Sequence, residues 1–491
     1  MTSVSSHLDL SKFQRPVRKQ PKVKTKIMHF GPGAFFRSFV GLLIDEVNKK
    51  SIEKWGVIAV SLNSDNEYKK LVGQEFLFNA LEINQFKKNV RQISLINECL
   101  VASKNRGAVL SALSDQNIEV VSLTITEKGY CYSSKTKELD YSNQKIIEDL
   151  NNIDNPQTAI GFIVAGLRER YLNGKRPFTI LSCDNLPNNG ALVKKLIFDF
   201  AQKIDPTFAN WVSKKVCFPS SMVDRITPAT KDQDIVNFAK DYGLYDPALV
   251  IHEEFFQWVI EDNFSSARPE FELAGIQMVK NVELHEKMKL RCLNGTHSAI
   301  AYLGYLAGFE TVAECVTDKV MANYIQYLWN KEITPTLETP EGENLNGYCK
   351  QLLERFKNPS IEHRTWQIAM DGSQKLPQRF LETITYLLKN ELSFQGLALA
   401  IAAWIKYVSG IDLNGDIIDV RDPLADDFAT IFKNSKTSEQ YIDGILNLRE
   451  IFPAHLADNS VFRTEIHISY NSLEKLKSTG AIKKLSNREE Y

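Results

Sequence analysis

The chain has 491 residues, of which 43% are apolar, 24% charged and 10% aromatic. That length exceeds what one hydrophobic core serves, and that mixture excludes a disulfide-stapled miniprotein or wholesale disorder, so two or three globular domains are expected. Lys plus Arg number 59 against 60 for Asp plus Glu, a formal charge of -1, which leaves no global field to attract nucleic acid or an anionic membrane and makes a small molecule the expected partner.

The first 25 residues carry Lys12, Arg15, Arg18, Lys19, Lys22 and Lys24 against Asp9 alone. They read as a flexible basic leader lacking the apolar stretch of a signal peptide. From Lys26 the run KIMHFG predicts a strand ending in glycines, followed by helical spacing over 35–47. Further β-branched runs at 56–62, 119–126 and 178–183 alternate with helical stretches at 108–113 and 158–172. Near-continuous apolar strands separated by helices predict a mostly parallel sheet covered on both faces, an α/β domain over 26–280. Within it, 75–96 reads as an antiparallel hairpin, because EFLFNALEI and NVRQISLI flank the polar INQFKKN. Beyond 280, helical patterns dominate at 286–306, 312–329, 345–355, 377–388 and 397–408, so 281–491 is expected to be a mainly helical domain. The longest apolar run, 396–405, is about half of what a bilayer crossing needs. Seven cysteines, widely spaced and without a C-x-x-C pair, speak against a disulfide framework or structural zinc and suit a reducing, cytoplasmic setting.

Gly31-Pro32-Gly33 ends the first predicted strand, and Ala34 and Phe35 open the next helix. This is the context in which backbone N–H groups and a helix N-terminus cradle a dinucleotide pyrophosphate; an ordinary tight turn is the plain alternative. The usual G-x-G-x-x-G asks for a third glycine where Phe36 stands, which predicts that strand and helix do not pack in the usual close way. After the second strand, Asp65 is the acid placed to accept ribose hydroxyls and repel a 2′-phosphate, favouring NAD over NADP, or else simply to cap the next helix.

The densest polar chemistry lies in HEKMKLRCLNGTHS, 285–298. On an α-helix at about 100° per residue, Lys289, Asn294 and His297 fall near 0°, 140° and 80°, close enough to share one side, with Glu286 one turn before Lys289. A solvated helix with chance polar residues is the bland alternative. A second cluster, SCDNLPNNG at 182–190, leaves the C-terminal end of a predicted parallel strand, where open α/β sheets bind ligands; as plain structure it is an Asn-Pro-Gly turn. A third, DGSQK at 371–375, is a capped turn with a lysine.

Taken together, SLTITEKGYC (122–131), ILSCDNLPNNG (180–190), MVDRITP (222–228), KLRCLNGTHSAIAYLG (289–304) and QIAMDGSQKLPQR (367–379) resemble the polyol-specific long-chain dehydrogenases, the mannitol dehydrogenase family, over roughly 26–460. The resemblance implies a Rossmann-type N-terminal domain, a helical C-terminal domain, a substrate cleft between them and metal-independent hydride transfer with NAD. It implies that Lys289 is the catalytic lysine, that Asn185 and Asn294 hold the reacting oxygen, and that His297 positions substrate. Glu286 resembles a carboxylate that passes the proton between lysine and water. Val223, Asp224 and Lys375 resemble substrate contacts. The segment GPGAFFRSF departs from the family's G-x-G-x-F-H-R-A-H-like run at Phe36 and Phe39. Gln367 stands where the mannitol enzymes carry an arginine, and the wording around it is more similar to the fructuronate reductase, or mannonate oxidoreductase, branch.

An alcohol gives up hydride efficiently only if its oxygen loses its proton, so a base is needed there; Lys289 serves if burial and nearby cations such as protonated His297 or Lys375 depress its pKa. D-Mannonate and D-fructuronate are the first expectation for the substrate pair, D-mannitol and D-fructose the second, and a monomer the expected state. A non-catalytic dinucleotide sensor remains the non-enzymatic reading. A Y-x-x-x-K pattern at Tyr141 and Lys145 is so short that chance explains it, and no histidine–cysteine set suggests a zinc alcohol dehydrogenase.

Overall fold

Strands that are apolar on both faces must be buried on both faces, and the computed structural model, which describes residues 9–84, 87–133, 136–359 and 363–487, shows how. In chain order the strands among these residues are β1 (Thr25–Phe30), β2 (Gly56–Ser61), β3 (Phe78–Ile83), β4 (Lys88–Ile93), β5 (Ile96–Val101), β6 (Val120–Leu123), β7 (Thr179–Ser182), β8 (Ser221–Asp224), β9 (Val250–Glu253), β10 (Gln257–Glu261) and β11 (Gln277–Val279). All lie in the first of two units, Met1–Glu283; the second spans Leu284–Tyr491.

The main sheet has the order β5-β2-β1-β6-β7, with every neighbouring pair parallel. Counted within the sheet this is 3-2-1-4-5, the doubly wound order whose direction reverses between β1 and β6. Successive side chains alternate between two cores. Met28, Phe30, Val121 and Ile180 join helix Ala159–Leu172 on one face, while Ile27, Val57, Val120 and Leu181 join helix Gly41–Lys50 on the other.

The hairpin expected over 75–96 is present as β3 and β4, paired antiparallel from Phe78↔Ile93 to Ile83↔Lys88, with residues 85–86 of its turn outside the described residues. Its second arm ends earlier than the apolar pattern suggests, because Ile96 already belongs to β5 of the main sheet. β9 extends this hairpin sheet beside β3, and β8, β10 and β11 form a third sheet.

The basic segment read as a flexible leader is, from residue 9 onward, anchored by its own cations. Arg18 donates to the carbonyls of Ser94 (2.8 Å), Glu75 (3.0 Å) and Ile96 (3.0 Å), and Lys22 donates to that of Asn97 (2.6 Å). Asn97 returns a bond to the carbonyl of Val23 at 2.7 Å. The charges that suggested detachment are thus donors for backbone carbonyls at a sheet edge.

The second unit is helical. Its core is built on helix Gln395–Val408, buried all round as its apolar run requires, and packed against helices Thr296–Leu306 and Ser460–Asn487. The pattern expected over 312–329 breaks at Asp318, whose carboxylate caps Val320 and Met321 at 2.9 and 3.0 Å. Among the described residues no helix is long and apolar enough to cross a membrane.

Candidate active site

The glycine turn sits at the C-terminal end of β1, where the winding reverses. Gly31 has φ +94°, and a Cβ there would meet the Thr124 carbonyl oxygen at 2.0 Å, so only glycine allows the turn to lie against the end of β6. A Cβ on Gly33 would meet nothing within 4 Å, and Gly33, Ala34 and Phe35 are all partly exposed at the start of the helical segment. First-turn N–H groups lack intrahelical acceptors, so this open turn fits a pyrophosphate.

Two buried polar residues that the sequence reading passed over hold the turn. His29, fully buried on β1, bonds Ser122 Oγ (2.8 Å) through Nδ1 and Thr124 Oγ1 (2.9 Å) through Nε2. Thr124 Oγ1 donates in turn to the Gly31 carbonyl at 2.7 Å. Burial pushes the His29 pKa down to about 3, against a smaller raising effect of the Gly31 carbonyl, so its ring is neutral. Arg37, also buried, donates to the Pro32 carbonyl at 2.6 Å and pairs with Glu67. Phe36, which stands where the third glycine would allow close strand–helix packing, stacks on His29 at 3.9 Å between ring centroids. The helix accommodates it by opening with a π-turn, Phe36–Val40. Phe39 packs on Trp258, 5.3 Å away.

Asp65 lies beyond the end of β2. It precedes helix Asn66–Val72 without a side-chain cap bond, and its two oxygens receive Lys69 (2.9 Å) and Lys104 (2.6 Å). Hydrogen bonds from those lysines, Lys104 first, hold its pKa at about 2.

In the second unit, the segment read as a continuous α-helix is an α-helix over Glu283–Met288, a π-helix over Lys289–Gly295 and an α-helix over Thr296–Leu306. A π-turn closes between residues five apart, which brings Lys289 and Asn294 nearer to one side of the helix than the about 140° separation of an α-helix. Lys289 is 8% exposed. Asn294 Oδ1 is buried and has no hydrogen-bond partner, and the same holds for His297 Nε2. Arg379 Nη1 fixes this turn from outside, donating to the Asn294 carbonyl (3.1 Å) and to Ser298 Oγ (2.8 Å). Burial, then the electrostatic influence of His363, Arg379 and Arg355, hold the His297 pKa well below its usual value. His297 is therefore neutral and cannot be the protonated neighbour expected to depress the lysine.

Glu286 is half-buried one turn before Lys289. Lys375 Nζ donates to the carbonyls of Met370 (2.5 Å) and Ile368 (3.2 Å), and burial followed by the charge of Arg379 lowers its pKa. Gln367 is exposed on helix Thr365–Ala369.

In the first unit, Asn185 is exposed just past β7, and Val223 and Asp224 are buried at the end of β8. The neighbours of Asn185 do the structural part of that motif. Asp184 accepts from the N–H groups of Ile125 (3.0 Å) and Thr126 (2.9 Å) and from Tyr130 OH (2.6 Å). Asn189 bridges the Asp184 and Ser221 carbonyls at 3.0 and 2.8 Å. Tyr141, of the Y-x-x-x-K pattern, is 41% exposed.

Residues 25–273 match the mannitol dehydrogenase Rossmann domain and residues 281–474 the mannitol dehydrogenase C-terminal domain. The chain belongs to the mannitol dehydrogenase family. Among relatives in this family, oxidoreductase YeiQ of Escherichia coli (strain K12) is 42% identical over 93% of this chain and 94% of its own. The D-mannonate oxidoreductase of the same organism is 39% identical over 96% of this chain and 97% of its own. The Pseudomonas fluorescens mannitol 2-dehydrogenase, solved as a ternary complex with NAD and D-mannitol, superposes with a TM-score of 0.83 at 32% identity, covering 97% of this chain and 98% of that one. As a mannitol dehydrogenase family member the chain is an oxidoreductase with a Rossmann-type N-terminal domain and a helical C-terminal region.

Proposed function

We propose that the protein transfers hydride reversibly between NAD and the secondary alcohol or ketone of an open-chain sugar acid, D-mannonate and D-fructuronate being the substrate pair. The observation that carries this reading is the π-turn Lys289–Gly295, which holds a buried amine, Lys289, and a half-buried carboxamide whose oxygen is buried without a partner, Asn294, in one turn. The nicotinamide ring supplies or takes the hydride when NAD is bound.

Lys289 accepts the alcohol proton during oxidation and returns it to the ketone oxygen during reduction. Asn294 and Asn185 donate N–H bonds to that oxygen, which strengthen as it gains negative charge. Neutral His297 orients the substrate, and Glu286 relays the proton between Lys289 and water. Val223, Asp224, Gln367 and Lys375 contact the rest of the substrate. Gly31, Gly33, Ala34 and Phe35 receive the pyrophosphate on their backbone, and Asp65 the adenosine ribose.

The acid pair is preferred because Gln367 replaces the arginine that the mannitol enzymes carry in this motif, and because identity to the D-mannonate oxidoreductase, at 39%, exceeds that to the mannitol 2-dehydrogenase, at 32%. The D-mannitol and D-fructose reading keeps the support of that second relative. NADH consumption with D-fructuronate and with D-fructose tests both: a higher kcat/KM for D-fructuronate is expected. A preference for D-fructose overturns the substrate choice, and NADH binding without turnover of any ketouronate or ketose overturns the enzyme reading.

A further inference from the structure

Within the first unit, the segment read as the cofactor turn and the segment read as a substrate contact are fastened to each other by buried polar groups. Arg225 follows Val223 and Asp224 in the run MVDRITP and is 8% exposed. Its Nη1 donates at 2.7 Å to the carbonyl of Ser38, inside the π-turn Phe36–Val40, and its Nε donates at 3.0 Å to the carbonyl of Phe255, between β9 and β10. Thr227, in the same run, places its Oγ1 2.7 Å from Ser38 Oγ. Ser38 is therefore held through both its carbonyl and its hydroxyl. Ring packing follows the same path. Phe39 lies 5.9 Å from the Arg225 guanidinium and 5.3 Å from Trp258, which stands opposite Val223 where β10 pairs with β8.

Whatever fixes Ser38 also fixes the open turn before it. Ser38 Oγ donates to the Phe35 carbonyl at 3.3 Å, and the N–H of Arg37 donates to the Gly33 carbonyl at 3.2 Å, so the π-turn and residues 33–35 move together. A guanidinium bond is charge-assisted and presents its donors in a rigid fork, which suits it to holding main chain in one place. Arg379 treats the Asn294 carbonyl of the other π-turn in the same manner. We propose that Arg225, with Thr227, is a positioning residue that locks the cofactor turn to strand β8, so that the strand contacting substrate also controls how NAD is held. This rests on the reading above, in which residues 31–35 take the pyrophosphate and Val223 and Asp224 the substrate. It goes beyond that reading by giving two residues outside both contact sets a part in the reaction.

The test is NADH binding by fluorescence titration, together with steady-state reduction of D-fructuronate and D-fructose, for the wild type, Arg225→Gln, Arg225→Lys, Ser38→Ala and Thr227→Val, each checked for its folded fraction by urea unfolding. Arg225→Gln should weaken NADH binding about tenfold and lower kcat about 10- to 100-fold. The ratio of kcat/KM for the two ketones should stay at the wild-type value, and Arg225→Lys should recover part of both losses. Ser38→Ala and Thr227→Val should each weaken NADH binding about 2- to 10-fold, and the double variant no more than Ser38→Ala alone, because the two changes remove one shared bond. Wild-type NADH affinity and kcat in Arg225→Gln and Thr227→Val, or a loss confined to folding stability, overturns the proposal. A loss selective for D-fructuronate also overturns it, since the guanidinium would then be touching substrate. A wild type that binds NADH but reduces neither ketone overturns the enzyme reading instead, and the NADH titrations still decide the proposal. Thr227→Val leaves the buried guanidinium in place, so misfolding of Arg225→Gln would not shelter the inference.

Discussion

Arg379 donates a 3.1 Å hydrogen bond to the main-chain carbonyl of Asn294, in the turn that also carries Lys289. Being backbone-directed, this bond positions the turn without needing to touch substrate. Arg379→Ala removes it together with the 2.8 Å bond to Ser298, and should lower kcat about 10- to 100-fold through misplacement of Asn294. Arg379→Lys should recover part of the rate with KM near the wild-type value. A kcat unchanged in Arg379→Ala would show that the turn holds itself.

Lys289→Ala should lower kcat about 100-fold or more, the scale of a positioned acid or base, with NADH binding measured by fluorescence titration left intact. Near-normal turnover would refute the role given to the amine.

Asn294→Ala and Lys375→Ala separate stabilisation of the reacting oxygen from binding of the remote chain. The first should act chiefly on kcat, the second chiefly on KM. Equal effects of both changes on both parameters would dissolve the distinction.

The carboxylate of Asp65 is flanked by Lys69 and Lys104, so removing it exposes two ammonium groups where a 2′-phosphate would sit. Asp65→Ala should raise the kcat/KM ratio of NADPH to NADH about tenfold or more. An unchanged ratio would place the ribose elsewhere.

Because burial depresses the His29 pKa to about 3, protonation favours the unfolded chain, whose histidines titrate near 6.5. The contribution of neutral His29 is fully present above pH 6.5 and is lost as pH falls toward 3, at about 1.4 kcal/mol per pH unit. Between pH 6.5 and 4.5 the wild type should therefore lose about 2–3 kcal/mol more stability than His29→Asn. Parallel pH profiles from urea unfolding would count against a buried neutral ring.

The strands of the main sheet were legible because β-branched runs bounded by glycines and polar turns leave few alternatives. β8 to β11 were mostly missed because strands of three to five residues carry too little pattern. The chemistry around 285–298 stood out by residue type, but the π-turn did not: it adds one residue per turn inside a run whose apolar spacing still reads as α-helical. In DNLPNN the sequence cannot say which polar groups turn inward, and burial chose Asp184 and Asn189 while leaving Asn185 exposed. The groups that lower the His297 pKa, His363, Arg379 and Arg355, are distant from it along the chain, so no local spacing announced them.

The bonds from Arg18 and Lys22 occupy carbonyls at β5, the outermost strand of the main sheet. A bare rim of that kind is a template for strands of other molecules. Proteolytic clipping after residue 24 should therefore show itself first as self-association, before any change in turnover.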